Sequence, residues 1–177
     1  LFDIPSEKWL IPLEFSVINY LDSIHYIVRK GKFYGIYDIS TQQLGPMSWI
    51  SMDYAFDGYV LVVKDEKYGV LRVSDNELTT PCIYSKIWAI KGSRRFKVEQ
   101  NRKFNIIDVN NKVYLKKWYQ ELHVNDDKIL NYIVKSNDRM GIIDENGKTV
   151  LPLNYLSIAS RPYRDRSYLA INKDGKY

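Results

Sequence analysis

Few side chains in this 177-residue sequence have a type and spacing that could do chemistry. The two histidines, His25 and His123, lie 98 residues apart, and neither forms the i, i+4 pair that holds zinc on a helix. Each stands beside aromatic positions, so a structural or surface role is expected. The single cysteine, Cys82, leaves no internal disulfide and no cysteine zinc site; next to Pro81 it reads as a small buried hydrophobe. One regular carboxylate set exists, Asp3, Asp38, Asp108 and Asp144, with Arg72 interrupting the row. Calcium needs several oxygens converging on one point, whereas one Asp per stretch makes a ladder. Turn capping is therefore the expected job of these carboxylates. Neither a glycine-rich phosphate loop nor a nucleophile elbow occurs. The residues nominate no catalytic group, no metal site and no cofactor, and the chain is expected not to be an enzyme.

Charge is unevenly spread. The chain carries 26 Lys and Arg against 21 Asp and Glu. Residues 86–118 hold ten of the basic residues and only two acids, Glu99 and Asp108, so that window is +8 and the remainder −3 of the net +5. Trp88, Phe96, Phe104 and Trp118 are interleaved with it. Cations among aromatics suit an anionic partner. The candidate binding residues are Trp88, Lys91, Arg94, Arg95, Lys97, Arg102, Lys103 and Trp118, with Arg161, Arg164 and Arg166 as an extension. The competing expectation is a solvated face whose aromatics point inward.

The elements that would position these residues come from an internal repeat. The pairs Tyr34-Gly35, Tyr68-Gly69 and Met140-Gly141 are spaced by 34 and then 72 residues, twice 36. The copy due at 105 reads Phe104-Asn105, and Asn is a common substitute for Gly where φ must be positive. Other columns run in phase. Pro46, Pro81 and Pro152 follow the Gly by eleven or twelve residues; three residues on come Trp49, Tyr84 and Tyr155, with Tyr119 where the Pro is lost. Three further on come Met52, Ile87, Leu122 and Ile158; an aromatic, Tyr26, Tyr59, Phe96 or Tyr132, precedes each Gly position by nine or ten. Asp3, Pro12, Phe15 and Ile18 fit a copy cut at the start, and Tyr168 and Tyr177 one cut at the end. The units are 1–34 (cut), 35–68, 69–104, 105–140 and 141–177, and the chain reads as a piece of a longer protein.

Each unit contains two β-rich runs about a short turn, such as Tyr59–Lys64 and Tyr68–Val73, which predicts a hairpin. A tight turn follows, as at Asp144-Glu145-Asn146-Gly147, then a short strand that the Pro should end. The Pro-x-x-aromatic-x-x-aliphatic segment has the spacing of a helical turn or an extended arm, the turn being preferred. The fold class is all-β: tandem hairpins of 34–36 residues stacked into an elongated β-superhelix or solenoid, with a propeller-like ring as the alternative. About three strands per unit favour the open stack, because propeller blades usually have four.

These columns resemble the bacterial WG repeats, above all Tyr34-Gly35-Ile36-Tyr37-Asp38, Tyr68-Gly69-Val70-Leu71 and Met140-Gly141-Ile142-Ile143-Asp144-Glu145-Asn146-Gly147-Lys148, each followed by Pro-x-x-Tyr or Trp. The namesake Trp is replaced throughout by other bulky apolar residues. The resemblance covers essentially the whole chain and implies a bacterial protein, often exported or envelope-associated, with no established catalytic residues to carry over.

The functional expectation is a non-catalytic protein-interaction or scaffold module, with a partner of acidic surface. The alternatives are a binder of envelope glycan, or an accessory arm of a larger enzyme or secretion machine. Buried repeat aromatics favour the first and an exposed aromatic row the second. Nucleic acid is not expected, since no reading motif is present. No apolar run approaches the roughly 18–20 residues that span a bilayer, and no apolar leader opens the chain.

Overall fold

A computed structural model describes residues 1–5, 7–125, 131–160 and 168–171. Among these residues every regular element is a β-strand, and no helix is long and apolar enough to cross a membrane. The strands are β1 (Phe2–Asp3), β2 (Lys8–Trp9), β3 (Val17–Tyr20), β4 (His25–Lys30), β5 (Phe33–Asp38), β6 (Gln43–Leu44), β7 (Ser51–Phe56), β8 (Tyr59–Lys64), β9 (Lys67–Arg72) and β10 (Leu78–Tyr84). Then follow β11 (Lys86–Ala89), β12 (Arg95–Gln100), β13 (Lys103–Asp108), β14 (Glu121–Asn125), β15 (Asn131–Ser136), β16 (Arg139–Asp144), β17 (Thr149–Tyr155), β18 (Ser157–Ser160) and β19 (Tyr168–Ile171). All pair antiparallel with their chain neighbours, giving meanders β3-β4-β5-β6, β7-β8-β9-β10, β11-β12-β13 and β14-β15-β16-β17, with two-stranded sheets β1-β2 and β18-β19 at the ends.

The repeat is a structural one. Gly35, Gly69, Asn105 and Gly141 occupy the same register, each opposite a valine: Val28, Val62, Val98 and Val134. The cut first unit keeps phase, since Phe2↔Trp9 and Asp3↔Lys8 reproduce Tyr37↔Leu44 and Asp38↔Gln43. In the second unit the aromatic column slips by one: Val60, not Tyr59, pairs with Leu71 as Tyr26 does with Tyr37.

Three local expectations are corrected. First, three of the sheets have four strands, because the segment after the Pro position supplies a first strand; β6 ends before Pro46 as expected, but elsewhere the outer strand passes through the Pro. Pro81 and Pro152 lie inside β10 and β17, at register shifts of an edge strand that can do without an N–H. The strand count thus no longer argues for an open stack. Second, the segment after the Pro is extended, not a helical turn. One residue, Ser85 or Leu156, separates the outer strand of one sheet from the first strand of the next. Third, the Gly column does not need positive φ, because neither Gly35, Gly69, Gly141 nor Asn105 has it. What it needs is room. A Cβ on Gly69 would lie 2.6 Å from the Thr80 carbonyl oxygen, and one on Gly141 would lie 2.7 Å from that of Leu151. The bulged Pro strand presses its backbone onto this position.

Left-handed residues are found instead in the turns. Asp65-Glu66, Asn101-Arg102 and Asn137-Asp138 all have positive φ, the conformation of type I′ hairpins that match strand twist.

The chain divides into two compact units, Leu1–Ile87 and Trp88–Tyr177. In the first, Ile27, Ile36, Trp49, Met52, Val60, Val62, Leu71 and Val73 form one core, and Ile11, Phe15, Val28 and Tyr37 a second on the other face of β4-β5. In the second unit Ile90, Ile106, Leu115, Tyr119, Leu122, Tyr132, Val134 and Ile143 pack together, and Ile133, Ile142 and Ile158 form a further cluster. Sheets covered on both faces explain the nearly continuous apolar strands. Each fully buried Val or Ile contributes about 1.5–3 kcal/mol.

Candidate functional site

The Asp column caps turns. Asp38 accepts from the backbone N–H groups of Ser40 (2.7 Å) and Thr41 (3.1 Å), Asp108 from those of Asn110 and Lys112 (both 2.9 Å), and Asp144 from those of Asn146 (2.9 Å) and Lys148 (2.8 Å). The hydroxyl of Ser40, followed by these N–H groups, holds the Asp38 carboxyl at a pKa of about 2. Where Arg72 replaces the Asp, its guanidinium grips Asp75 and Glu77, and Asp75 accepts from the Glu77 N–H. Among the described residues no group of His, Cys, Asp and Glu is arranged to hold a metal ion. His25 is half-buried, its Nδ1 2.9 Å from Asp22, and Cys82 is half-buried with its thiol pKa raised by burial.

The basic window divides into three places. Lys91 and Arg94 are exposed in the loop between β11 and β12, whereas Arg102 and Lys103 are exposed at the hairpin turn at the opposite end of β12. Six residues of strand put those ends roughly 17 Å apart. Arg95 belongs to the fold. Its guanidinium lies 4.0 Å from the Tyr114 ring centre, donates to the Glu145 carbonyl oxygen at 2.7 Å, and faces the Glu145 carboxylate at 3.8 Å. Trp118 is half-buried beside the buried Tyr119. The sequence-predicted residues therefore do not form one patch.

Two of them do meet, at mid-strand. The Lys97 ammonium lies 5.0 Å from the Trp88 ring centre and 4.7 Å from that of Phe104, and those rings are tilted 43° with centres 6.3 Å apart. Lys97 is half-buried; burial pulls its pKa down, with the Glu99 carboxylate acting the other way. It lines a cavity of about 260 Å³ together with Trp88, Ala89, Ile90, His123 and Val124. His123 is exposed, its Nε2 3.7 Å from the Glu121 carboxylate, which itself binds Lys135 at 2.8 Å. Ala89, Ile90, Val124 and His123 were not nominated by sequence as a site. They are apolar strand residues and a lone histidine, with nothing in their spacing to single them out. Lys97 carried a legible signal, because its counterparts immediately before the valine column are Ile27, Leu61 and Ile133.

Elsewhere the repeat aromatics are inward. Trp49 and Tyr84 are buried and Tyr34 and Tyr68 half-buried, each pair facing across neighbouring strands, whereas Trp88 is 40% exposed. Arg161, Arg164, Arg166 and Tyr177 lie outside the described residues.

This geometry defines a class first: an antiparallel all-β array of hairpin units in one register, with capped turns. In the sequence, the family model of the WG containing repeat matches residues 140–177, the stretch that starts at Met140-Gly141. The likeness to WG repeats read from the columns thus holds there. No curated protein matches the sequence. Among solved structures, the chain is similar to a eukaryotic initiation factor at 6% identity and TM-score 0.46, over 86% of this chain and 53% of that one. It is also similar to Hsv2 of Kluyveromyces lactis (11%, TM-score 0.42, 74% and 46%). A third likeness is to PorZ, a surface component of the type-IX secretion system of Porphyromonas gingivalis (11%, TM-score 0.36, 91% and 24%). The chain spans about half the length of the first two, and at these scores none carries a functional argument.

Proposed function

We propose that this chain is a non-catalytic protein-interaction module whose third hairpin repeat (residues 86–118, around β12-β13) presents cations to an acidic surface of its partner. The observation that carries this is the charge of residues 86–118, ten basic residues against two acids, where the rest of the chain has 16 against 19. Within that stretch, Lys97, Lys112 and Lys117 lie over aromatic rings, and among the described residues no salt bridge engages Lys91, Lys103 or Lys116. Exposed cations with little internal neutralisation supply a field that steers an acidic partner. The buried Trp49 and half-buried Tyr34 and Tyr68 favour this reading over an envelope-glycan binder, for which the exposed Trp88 speaks.

The test is affinity capture from an extract of the source cell, using the wild type and a Lys91→Glu/Arg94→Glu/Lys103→Glu variant. Arg95 is left intact because the fold uses it. The expected result is an acidic protein captured by the wild type, released by salt and lost with the variant. Equal capture by both proteins would move the interface off the third repeat, and capture of glycan alone would end the protein reading.

A further inference from the structure

Lys97 occupies a position that the repeat otherwise gives to the core. The residue before the valine column is Ile27, Leu61 and Ile133 in the other units, and its cross-strand partner is aliphatic in all four: Ile36, Val70, Ile106 and Ile142. Ile27 and Ile133 are buried. An ammonium in such a column loses hydration that an isoleucine would not miss. The aromatic faces of Trp88 and Phe104 return part of it, as cation–π contacts. They do not neutralise the charge, and among the described residues no salt bridge of Lys97 does so. The ammonium instead borders an open cavity of about 260 Å³ whose other walls are Trp88, Ala89, Ile90, Val124 and the exposed His123.

We propose that this cavity receives the carboxylate of an acidic side chain from a protein partner, with Lys97 as its counter-ion and Trp88 packing on its stem. The proposal rests on the interaction-module reading and names the site within it. One fixed ammonium matches a monoanion, and the apolar walls fit the methylenes of a glutamate. The exposed His123 lines the same cavity. The wall residue Ile90 leads directly into the loop bearing Lys91 and Arg94, both exposed, so the surroundings favour a run of acids over an isolated carboxylate.

The repeat itself supplies a clean variant. Lys97→Leu installs the side-chain type that the other units carry, so it should fold with an unchanged or raised denaturation midpoint; Lys97→Met, which keeps the stem, guards against misfit. The probe is a capped hexapeptide of glutamate, titrated calorimetrically into the whole 177-residue chain. Controls are the glutamine hexapeptide, trigalacturonate and inorganic phosphate. The expected result is that the glutamate peptide binds and the glutamine peptide does not, with affinity falling at least tenfold in both Lys97 variants. Lys91→Glu/Arg94→Glu should weaken binding less and chiefly flatten its salt dependence. Unchanged affinity in the Lys97 variants together with loss in Lys91→Glu/Arg94→Glu would overturn the cavity and leave the interaction surface standing. Tighter binding of trigalacturonate or phosphate through Lys97 would overturn the protein occupant. No binding by the wild type would overturn the site, while partner capture independently decides the broader reading.

Discussion

Opposite Val62 the second hairpin carries Gly69, and opposite Val98 the third carries Asn105. In the second, the Pro81 strand bulges inward until the Thr80 carbonyl oxygen would touch any Cβ on Gly69. In the third, Lys116 stands where the Pro belongs, no regular fourth strand forms, and isolated bridges at Phe104↔Tyr119 and Ile107↔Val113 remain. Beside this segment lies the Asn105 amide, fully buried. Its Nδ2 donates to the carbonyls of Leu115 (3.2 Å) and Lys117 (3.3 Å), the residues flanking Lys116, and its Oδ1 accepts from the Leu115 N–H at 3.2 Å. A side-chain amide thus takes up the groups that a pressed-in backbone would otherwise pair. Loss of the Gly and loss of the Pro are one change, made at two ends of a contact.

The sharpest way to break this comparison is Gly69→Val. With the Thr80 oxygen at 2.6 Å and Cys82 Sγ at 2.8 Å from the new Cβ, backbone must move, and about 3 kcal/mol should be lost in denaturant unfolding. A loss under about 0.5 kcal/mol would mean that the outer strand yields freely and the close contact is incidental. Next in size is Asn105→Gly, which strands the Leu115 and Lys117 groups and should cost about 2 kcal/mol. Adding Lys116→Pro rebuilds the other units' pairing of Gly with Pro, so the double variant should recover part of that loss; strict additivity would refute the coupling. The smallest effect concerns a feature that both kinds of unit share. Asp38, held at about 2 against an unfolded value of about 3.9, stabilises the fold above pH about 4, and this contribution disappears as pH falls towards 2. Asp38→Ala should therefore lose stability at neutral pH and converge on the wild type in acid. Asp108→Ala should lose stability at neutral pH in the same way, because its turn is built alike in the third unit.

What could be read ahead of the structure follows local rules. Alternating apolar strands, turn residues and an Asp that caps its own turn depend on neighbours within a few residues, so the hairpins and their phase were legible in the sequence. The Tyr59 slip shows the limit: the aromatic stands one ladder position earlier, opposite Arg72, although the β8-β9 register is continuous, and spacing alone does not tell the two positions apart. The Gly column was legible as a column and misleading as a conformation. Gly and Asn share a tolerance for positive φ, whereas the actual demand was space against a strand about eleven residues away.

The sequence by itself determined the repeat, its register, the all-β class and the concentration of positive charge in one unit, because these depend on residue type and short spacing. The tertiary structure alone decided that Arg95 is tied to Glu145 and Tyr114, that Arg102 and Lys103 lie a strand's length from Lys91 and Arg94, and that Lys97 lies over Trp88 and Phe104 and lines a cavity with Trp88 and His123. Adjacency across strands and sheets is set by pairing and packing among residues remote in sequence, and a charge count over 33 consecutive residues is blind to which end of a strand each cation occupies.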